Sequence, residues 1–300
     1  MTEWRYLILI SLPFDPADYA VARSTLGSLG ARPNKTLGQH FLLDKDALDA
    51  ICEAAALQQS DAVLEIGPGL GALTVRLLAR CERVSAIEKD AKFASLLAKK
   101  LKRDGFKLLA GDALAIGWNE LDLPAQNVKI VANLPYSISK PVLRRIIEEW
   151  RPNLSSATVL VQREVALRLT APADSEHYGP MSLMAQLYTR PELKFDIAPD
   201  TFLPPPRVTS TVVFFEMLRT PSIELESESR FWTTVRAAFS QRRKNLGNTL
   251  KPLATREKLN AAFEETGIDS KRRGETLSLQ EFENLARALW NEADELKSLL

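Results

Sequence analysis

Residues 62–66, AVLEI, and the GPGLG that follows at 67–71 decide the expected fold of this chain. The first five residues form a strand-length apolar run, and a helical pattern extends from the glycines to Arg80. Glycine lets the backbone turn tightly and approach a ligand without a clash from Cβ. The stretch therefore predicts a strand, a tight turn and a helix, either with a ligand at the turn or as a purely structural turn.

The alternation of strand and helix continues on both sides of this stretch. A helix is expected over residues 44–57, with Asp44 as its N-cap. Strands are expected at 83–87, 106–110, 128–132 and 157–162, and further helices at 91–103 and 140–150. Strands that alternate with helices predict a parallel, doubly wound α/β sheet.

The pattern changes toward the C-terminus. Strand-like runs at 193–197 and 208–215 are separated by three prolines, and the pattern after residue 220 is wholly helical. We therefore expect one domain over 31–220 and a small all-helical domain over 221–300. Residues 1–30 form an extension to which the sequence assigns no role.

Composition excludes several classes of protein. The 300 residues are 45% hydrophobic with a net charge of +1, so the overall charge does not indicate a nucleic-acid partner. The two cysteines lack CxxC spacing, which argues against a disulfide framework or a zinc site and fits the cytoplasm. The apolar run at 6–10 is far shorter than the ~20 residues of a membrane span.

Acidic residues end the two predicted strands that follow the glycine loop. Glu88 ends the strand at 83–87 and follows the glycines by roughly 20 residues, a spacing typical of a carboxylate that accepts from ribose hydroxyls. Asp112 ends the next strand, where it can accept from an adenine amino group. Either acid alone can be a solvated turn residue. With the glycine loop, the two indicate an adenosine-bearing cofactor at the carboxyl ends of the strands.

Residues 133–136, Asn-Leu-Pro-Tyr, end the fourth strand and would face the reactive end of that cofactor. The Asn133 side-chain oxygen and the Leu134 carbonyl can grip an exocyclic amine and direct its lone pair, and Pro135 stiffens the turn. Tyr136 can stack on an extruded base through its ring, without need of its hydroxyl. These residues indicate methyl transfer to a base amine, and a helix-entry turn is the alternative.

At this point the chain resembles the KsgA family of S-adenosylmethionine-dependent ribosomal RNA adenine N6,N6-dimethyltransferases. The similar stretches run in family order over about residues 31–285. They are KTLGQHFL at 35–42, EIGPGLG at 65–71, IEKD at 87–90, GDA at 111–113, NLPY at 133–136, QREV at 162–165, YGPMS at 178–182, FLPPPRV at 202–208 and FSQRRK at 239–244.

The resemblance implies a Rossmann-like methyltransferase sheet and S-adenosylmethionine as the cofactor. It implies cofactor contacts at His40, Leu42, Gly67, Gly69, Glu88, Asp112 and Asn133, and catalytic roles for Asn133, Leu134 and Tyr136. His40 departs from the family, in which asparagine is usual at this position. Phe202 is expected either to pack on the target base or to be a core aromatic.

The resemblance also places a ribosomal RNA contact in the helical domain. Residues 239–251 contain Arg242, Arg243 and Lys244 without an acid, and 271–273 form a second basic run. A solvated charged face is the alternative. The expected partner is the small-subunit ribosomal RNA in a pre-30S particle, the expected reaction is dimethylation of two adjacent adenosines near the 3' end of 16S RNA, and the expected state is a monomer.

Three rival functions stay open. An Erm-type methylase would modify an adenine of large-subunit RNA, although such chains tend to be shorter and usually carry Asn-Ile-Pro-Tyr. An assembly or transcription factor would keep the fold and the cofactor pocket but work mainly by binding nucleic acid. A dinucleotide oxidoreductase is disfavoured, since no acid–base pair for hydride transfer is found.

Overall fold

A computed structural model describes residues 15–31, 38–241 and 243–290. The chain divides into two compact units, one of Met1–Ala166 with Arg190–Arg219, the other of Leu167–Thr189 with Thr220–Leu300. The division at Thr220 lies where the sequence pattern changes. Residues 167–189 differ from expectation, because they group with the helical C-terminal part and not with the sheet.

The strands are numbered along the chain. They are β1 (Phe41–Leu42), β2 (Ala62–Ile66), β3 (Arg83–Glu88), β4 (Phe106–Ala110), β5 (Val128–Asn133), β6 (Leu154–Gln162), β7 (Thr189–Ile197), β8 (Phe202–Leu203) and β9 (Ser210–Met217). The predicted strands are confirmed, with ends that shift by a few residues. The two-residue strands β1 and β8 pair antiparallel in a separate small sheet, which the sequence analysis did not predict.

The helices are numbered in the same way. They are α1 (Tyr19–Ser28), α2 (Lys45–Ala54), α3 (Ala72–Leu78), α4 (Ala91–Lys100), α5 (Ser139–Arg144), α6 (Arg163–Thr170), α7 (Pro180–Tyr188), α8 (Glu228–Ala238), α9 (Leu246–Thr249), α10 (Arg256–Thr266) and α11 (Leu279–Leu289). Helix α5 continues as a π-helical turn over Arg145–Trp150, and short 3-10 turns occur at Trp118–Glu120, Arg151–Asn153, Pro199–Thr201 and Gly274–Thr276.

The main sheet has seven strands in the order β4-β3-β2-β5-β6-β9-β7. Strands β2 to β6 pair in parallel, and β9 runs antiparallel to β6. The predicted doubly wound α/β sheet is therefore confirmed, and it is Rossmann-like. The carboxyl ends of β2, β3, β4 and β5 meet at one edge, and the antiparallel direction of β9 brings its amino end to that same edge.

Hydrophobicity explains the central position of β2. All five of its residues are buried, as expected for a parallel strand with both faces covered. Glu65 is the one charged residue of β2, and it is buried with the others at only 2% exposure.

Residues 1–14 fall outside the described ranges. Helix α1 lies in the remainder of the 1–30 extension, to which the sequence analysis assigned no role. Its buried residues Ala22 and Leu26 join a hydrophobic cluster with Phe41, Leu70 and Phe93. Leu70 belongs to the glycine loop, so α1 contributes to the packing behind that loop. Asp18 caps the helix by accepting from the Val21 amide, 2.9 Å away.

The second unit is built around aromatic side chains. Phe231 of α8 and Phe282 of α11 are fully buried and meet edge to face, with their ring centroids 6.5 Å apart. The Tyr178 hydroxyl donates to the Leu277 carbonyl at 2.8 Å, which ties residues 167–189 to this unit. None of the helices in the described ranges combines the length and apolar character that a bilayer crossing requires.

Candidate active site

A cleft of about 660 Å³, which includes the solvent space at its mouth, opens at the carboxyl ends of the parallel strands. Its walls come from Leu48, Glu88 and three segments within residues 38–42, 65–73 and 133–136. Its lining combines apolar side chains with the Glu65 and Glu88 carboxyls and the Asn133 amide, a mixture that is usual for a small-molecule site. The expected edge of the sheet therefore carries a cleft, and the glycine loop, Glu88 and Asn-Leu-Pro-Tyr all face it.

The glycine loop makes room for protein as well as for a ligand. Gly67 and Gly69 have φ angles of 72° and 56°, which an L side chain rarely adopts. A Cβ on Gly67 would lie 3.2 Å from Cγ of Pro135, and one on Gly69 would lie 2.8 Å from the Phe41 ring. The two glycines thus let the 133–136 segment and the 38–42 segment pack closely on the loop.

Glu88 fixes this loop. Its Oε2 accepts from the Gly69 amide at 2.9 Å, and its Oε1 accepts from the Asp90 amide at 2.8 Å. Burial raises the pKa of the Glu88 carboxyl, and the bonds from the Asp90 and Gly69 amides oppose the rise. Each carboxylate oxygen has two lone pairs, so both can still accept from another donor in the cleft.

Asp112 follows β4 and is not among the residues that line the cleft. Its Oδ2 accepts from Nζ of Lys89 at 2.7 Å, and its Oδ1 accepts from the Leu114 amide at 2.9 Å. The bonds from Lys89 and Leu114 hold the pKa of Asp112 below its usual value. The Gly111 amide donates to the Glu88 carbonyl at 2.8 Å, which keeps the two acidic turns adjacent.

Asn133 has a defined amide orientation. Its Nδ2 donates to the backbone carbonyl of His40 at 3.1 Å. Only Oδ1 of the amide can accept from a ligand, and none of the residues in the described ranges donates to it. The sequence analysis predicted the accepting oxygen but not the partner that orients it.

His40 joins two sides of the cleft. Its Nδ1 lies 2.7 Å from the Pro204 carbonyl, and since a carbonyl only accepts, Nδ1 carries the proton. The imidazole packs beside Tyr136, with ring centroids 5.1 Å apart at an interplanar angle of 30°. The Tyr136 hydroxyl forms a hydrogen bond with that of Ser210. Tyr136 is therefore held at its face and at its hydroxyl.

Leu134 and Phe202, which were also expected to contact the target base, are more buried than Tyr136. Leu134 is 1% exposed, and its amide donates to the Leu160 carbonyl at 3.1 Å. Phe202 is 3% exposed and pairs with Leu42, which itself lines the cleft, between β8 and β1. The Phe202 ring belongs to the core cluster, so the packing alternative fits this structure.

The basic residues of the second unit fall into two groups. Arg242 lies outside the described residues, whereas Arg243 and Lys244 are exposed and have no acidic partner among the residues described. The run at 271–273 is different, because Arg272 forms an ion pair with Glu281 and donates to the Thr276 carbonyl at 2.6 Å. The second basic run is therefore partly neutralised within the unit.

The sequence analysis did not single out two charged residues that lie at or near the site. Arg145 lies on the π-helical turn after α5, and its Nη1 donates to the Ala113 carbonyl at 2.7 Å beside Asp112. Glu65 lines the cleft, and its Oε2 is buried without a hydrogen-bond partner among the described residues. Burial raises the Glu65 pKa to about 8, with Thr74 lowering and Glu88 raising it. An acid inside an otherwise apolar strand was the available signal for Glu65.

Comparison with known proteins identifies the family. A family model described as "Ribosomal RNA adenine dimethylase" matches residues 30–290. The chain belongs to the ribosomal RNA adenine dimethylase family. It is 40% identical over 260 residues to a ribosomal RNA small subunit methyltransferase A from Clostridium botulinum (strain Kyoto / Type A2), which covers 86% of this chain and 94% of that protein. A Clostridium acetobutylicum protein of the same name is 40% identical over 261 residues, again covering 86% and 94%.

Two solved structures share this fold. A dimethyladenosine transferase from Plasmodium falciparum superposes with a TM-score of 0.68 at 25% identity, covering 82% of this chain and 95% of that one. The 23S rRNA methyltransferase ErmE superposes with a TM-score of 0.64 at 24% identity, covering 83% and 99%. At that identity the likeness to ErmE is one of fold alone.

The family makes this chain an S-adenosylmethionine-dependent rRNA methyltransferase. The cleft suits that cofactor. Glu88 is a buried carboxylate with spare lone pairs for hydroxyl donors, and the apolar walls at Leu42, Leu48 and Leu73 suit the less polar parts of the molecule. When bound, the cofactor supplies an electrophilic methyl group.

The buried Glu65 carboxyl predicts a pH dependence of stability. Its folded pKa of about 8 lies above its unfolded value, so the folded protein keeps a proton that the unfolded chain releases. The free energy of unfolding should therefore fall as pH rises from about 4.3 toward the folded value. Glu65→Gln removes this dependence, so its free energy of unfolding, relative to that of the unmodified protein, should rise by roughly 3–4 kcal/mol from pH 5 to pH 8.

Urea unfolding of both proteins at the two pH values measures this gain. Glu53→Gln on α2, at an exposed position, is the matched control and should show no such gain. An equal response of both variants to pH would contradict a buried neutral carboxyl at Glu65.

Proposed function

We propose that this protein dimethylates N6 of two adjacent adenosines in the hairpin near the 3' end of 16S small-subunit rRNA during ribosome biogenesis. The orientation of the Asn133 amide carries the proposal, because it leaves an acceptor oxygen in the cleft. The names of the clostridial relatives support the choice of the small subunit. The likeness to ErmE is weaker support for the large-subunit alternative, since it concerns fold alone.

Asn133 and Leu134 act on the target amine in this proposal. The lone pair of an adenine amine is delocalised into the ring, so the amine is a poor nucleophile. Two acceptors, Oδ1 of Asn133 and the Leu134 carbonyl, would hold its hydrogens and favour a pyramidal nitrogen. The bond from Asn133 Nδ2 to the His40 carbonyl keeps Oδ1 aimed at the amine before substrate arrives. Such prior orientation contributes to rate through positioning and electrostatics.

Tyr136 receives the extruded base. Its ring lines the cleft directly after the amine clamp and is supported on one side by His40. Stacking of a base on an aromatic ring contributes about 1–3 kcal/mol and tolerates any base. Tyr136 therefore holds the ring while Asn133 and Leu134 identify the amine.

The cofactor contacts follow from the same cleft. Glu88 accepts from ribose hydroxyls with its spare lone pairs, and Gly67 and Gly69 bring backbone close to the methionine portion. His40 and Leu42 line the same cleft. Asp112 accepts from the adenine amine only by sharing its carboxylate with Lys89 or by releasing that lysine.

Arg242, Arg243 and Lys244 are proposed to contact phosphates of the small-subunit RNA in a pre-30S particle. Exposure and the lack of an acidic partner, among the described residues, support this for Arg243 and Lys244. We further propose that the protein acts as a monomer in the cytoplasm.

Asn133→Ala should reduce single-turnover methyl transfer to unmethylated small subunits by about a hundredfold or more. The affinity for S-adenosylmethionine should fall much less, because the lost contact acts mainly in the transition state. Quenched-flow transfer of a labelled methyl group, together with calorimetry of the cofactor, measures the two quantities.

Asn153→Ala is a matched control for the loss of an asparagine amide. Asn153 Nδ2 also donates to a backbone carbonyl, that of Ala125 at 2.7 Å, but Asn153 does not line the cleft. This control should transfer methyl groups normally. Normal transfer by Asn133→Ala would refute the clamp, and preferential methylation of purified large subunits would refute the choice of substrate.

Reversal of Arg243 and Lys244 to glutamate should weaken binding to small-subunit particles and flatten its dependence on salt. Fewer counterions are released when a phosphate contact is lost. Each lost contact should therefore reduce the slope of log K against log salt by about 0.7–0.9. Filter binding at several salt concentrations measures this slope. Arg256→Glu, an exposed arginine on α10, is the control for a general change of charge. An equal change in slope for the control would leave the patch without a specific role.

A further inference from the structure

The far end of the Tyr136 side chain is held by a strand that belongs to neither the glycine loop nor the clamp. The Tyr136 hydroxyl forms a hydrogen bond with the Ser210 hydroxyl, 74 residues away in sequence. Ser210 is fully buried, whereas Tyr136 is only partly buried and lines the cleft. Tyr136 thus places its ring at the cleft and its hydroxyl in the protein interior.

Sheet topology explains why Ser210 is at this position. Ser210 is the first residue of β9 and pairs with Gln162, the last residue of β6. Asn133, the last residue of β5, pairs with Leu160 two positions earlier on β6. Because β9 is antiparallel to β6, its amino end lies at the sheet edge where β5 and β6 end. The one antiparallel partner of β6 therefore brings a hydroxyl to the clamp.

The Tyr136 ring is fixed at two points. His40 packs on it with ring centroids 5.1 Å apart, and His40 is itself held by the Pro204 carbonyl at 2.7 Å. The bond to Ser210 restrains the ring at its para position, which packing alone does not. A ring with both restraints keeps one orientation in the empty cleft and loses little conformational entropy when a base stacks on it.

We propose that Ser210 is a positioning residue for methyl transfer, which acts through the Tyr136 hydroxyl to set the plane on which the target base stacks. The inference rests on the proposed function, because it requires that Tyr136 stacks on the base. It also changes one expectation from the sequence. Tyr136→Phe keeps the ring but loses its anchor, so it should slow transfer and not be mild.

Single-turnover transfer to unmethylated small subunits, at saturating cofactor and particle, tests this positioning role. Ser210→Ala and Tyr136→Phe should each slow transfer about five- to tenfold, since each removes the same hydrogen bond. The double variant should be no slower than the slower single variant. The dissociation constant for S-adenosylmethionine should stay within twofold of that of the unmodified protein in all three variants.

Ser85→Ala controls for the loss of a buried serine hydroxyl. Ser85 is 2% exposed on β3, and its hydroxyl donates to the Leu121 carbonyl at 3.1 Å, away from the residues that line the cleft. This variant should keep the normal rate even where its thermal stability falls. A merely structural role for Ser210 would give the same result, namely lost stability and unchanged transfer.

Tyr136→Ala separates the possible failures. Slow transfer by Tyr136→Ala with normal rates for Ser210→Ala and Tyr136→Phe would overturn the positioning role and leave stacking intact. Normal transfer by Tyr136→Ala would overturn both. Rate losses that multiply in the double variant would also overturn the inference, because two residues that act through one bond cannot contribute independently.

Discussion

The buried carboxylate of Glu88 is the constraint on which the cleft depends. It sits at the end of β3 and accepts from the Gly69 and Asp90 amides, so one side chain joins the glycine loop to the start of α4. Neither amide has another hydrogen-bond partner among the described residues, and a buried donor without a partner is costly. Glu88 therefore stabilises the glycine loop, and its carboxylate oxygens keep lone pairs that can accept from a ligand.

The rest of the site is assembled on that loop by close packing. Because neither Gly67 nor Gly69 carries a Cβ, Pro135 and Phe41 can pack closely on the loop. The loop thereby positions residues 133–136 and residues 38–42 together. His40 then connects the two, through its carbonyl to Asn133 and through its ring to Tyr136. Residues 38–42 therefore contact both the glycine loop and the 133–136 segment.

Local sequence patterns predicted the sheet, the glycine loop, Glu88 and Asn133, because each depends on neighbours in sequence and on the rule that parallel strands end at one edge. Contacts between distant residues were out of reach. The His40 bond to Pro204 spans 164 residues, and no local pattern indicates that these two residues are in contact. The grouping of residues 167–189 with the second unit was out of reach for the same reason. The ion pair between Arg272 and Glu281 was also not predicted, so the sequence overstated how many cations of the 271–273 run are available to RNA.

Calorimetric titration of S-adenosylmethionine into Glu88→Gln tests the central claim most directly. Glutamine keeps the shape of the side chain, but its one oxygen cannot accept from both amides, and its NH2 group faces a donor. The account predicts an affinity loss of about 1–3 kcal/mol, with Glu53→Gln unchanged. Unaltered cofactor affinity in Glu88→Gln would contradict it, because the loop would then hold its form without the carboxylate.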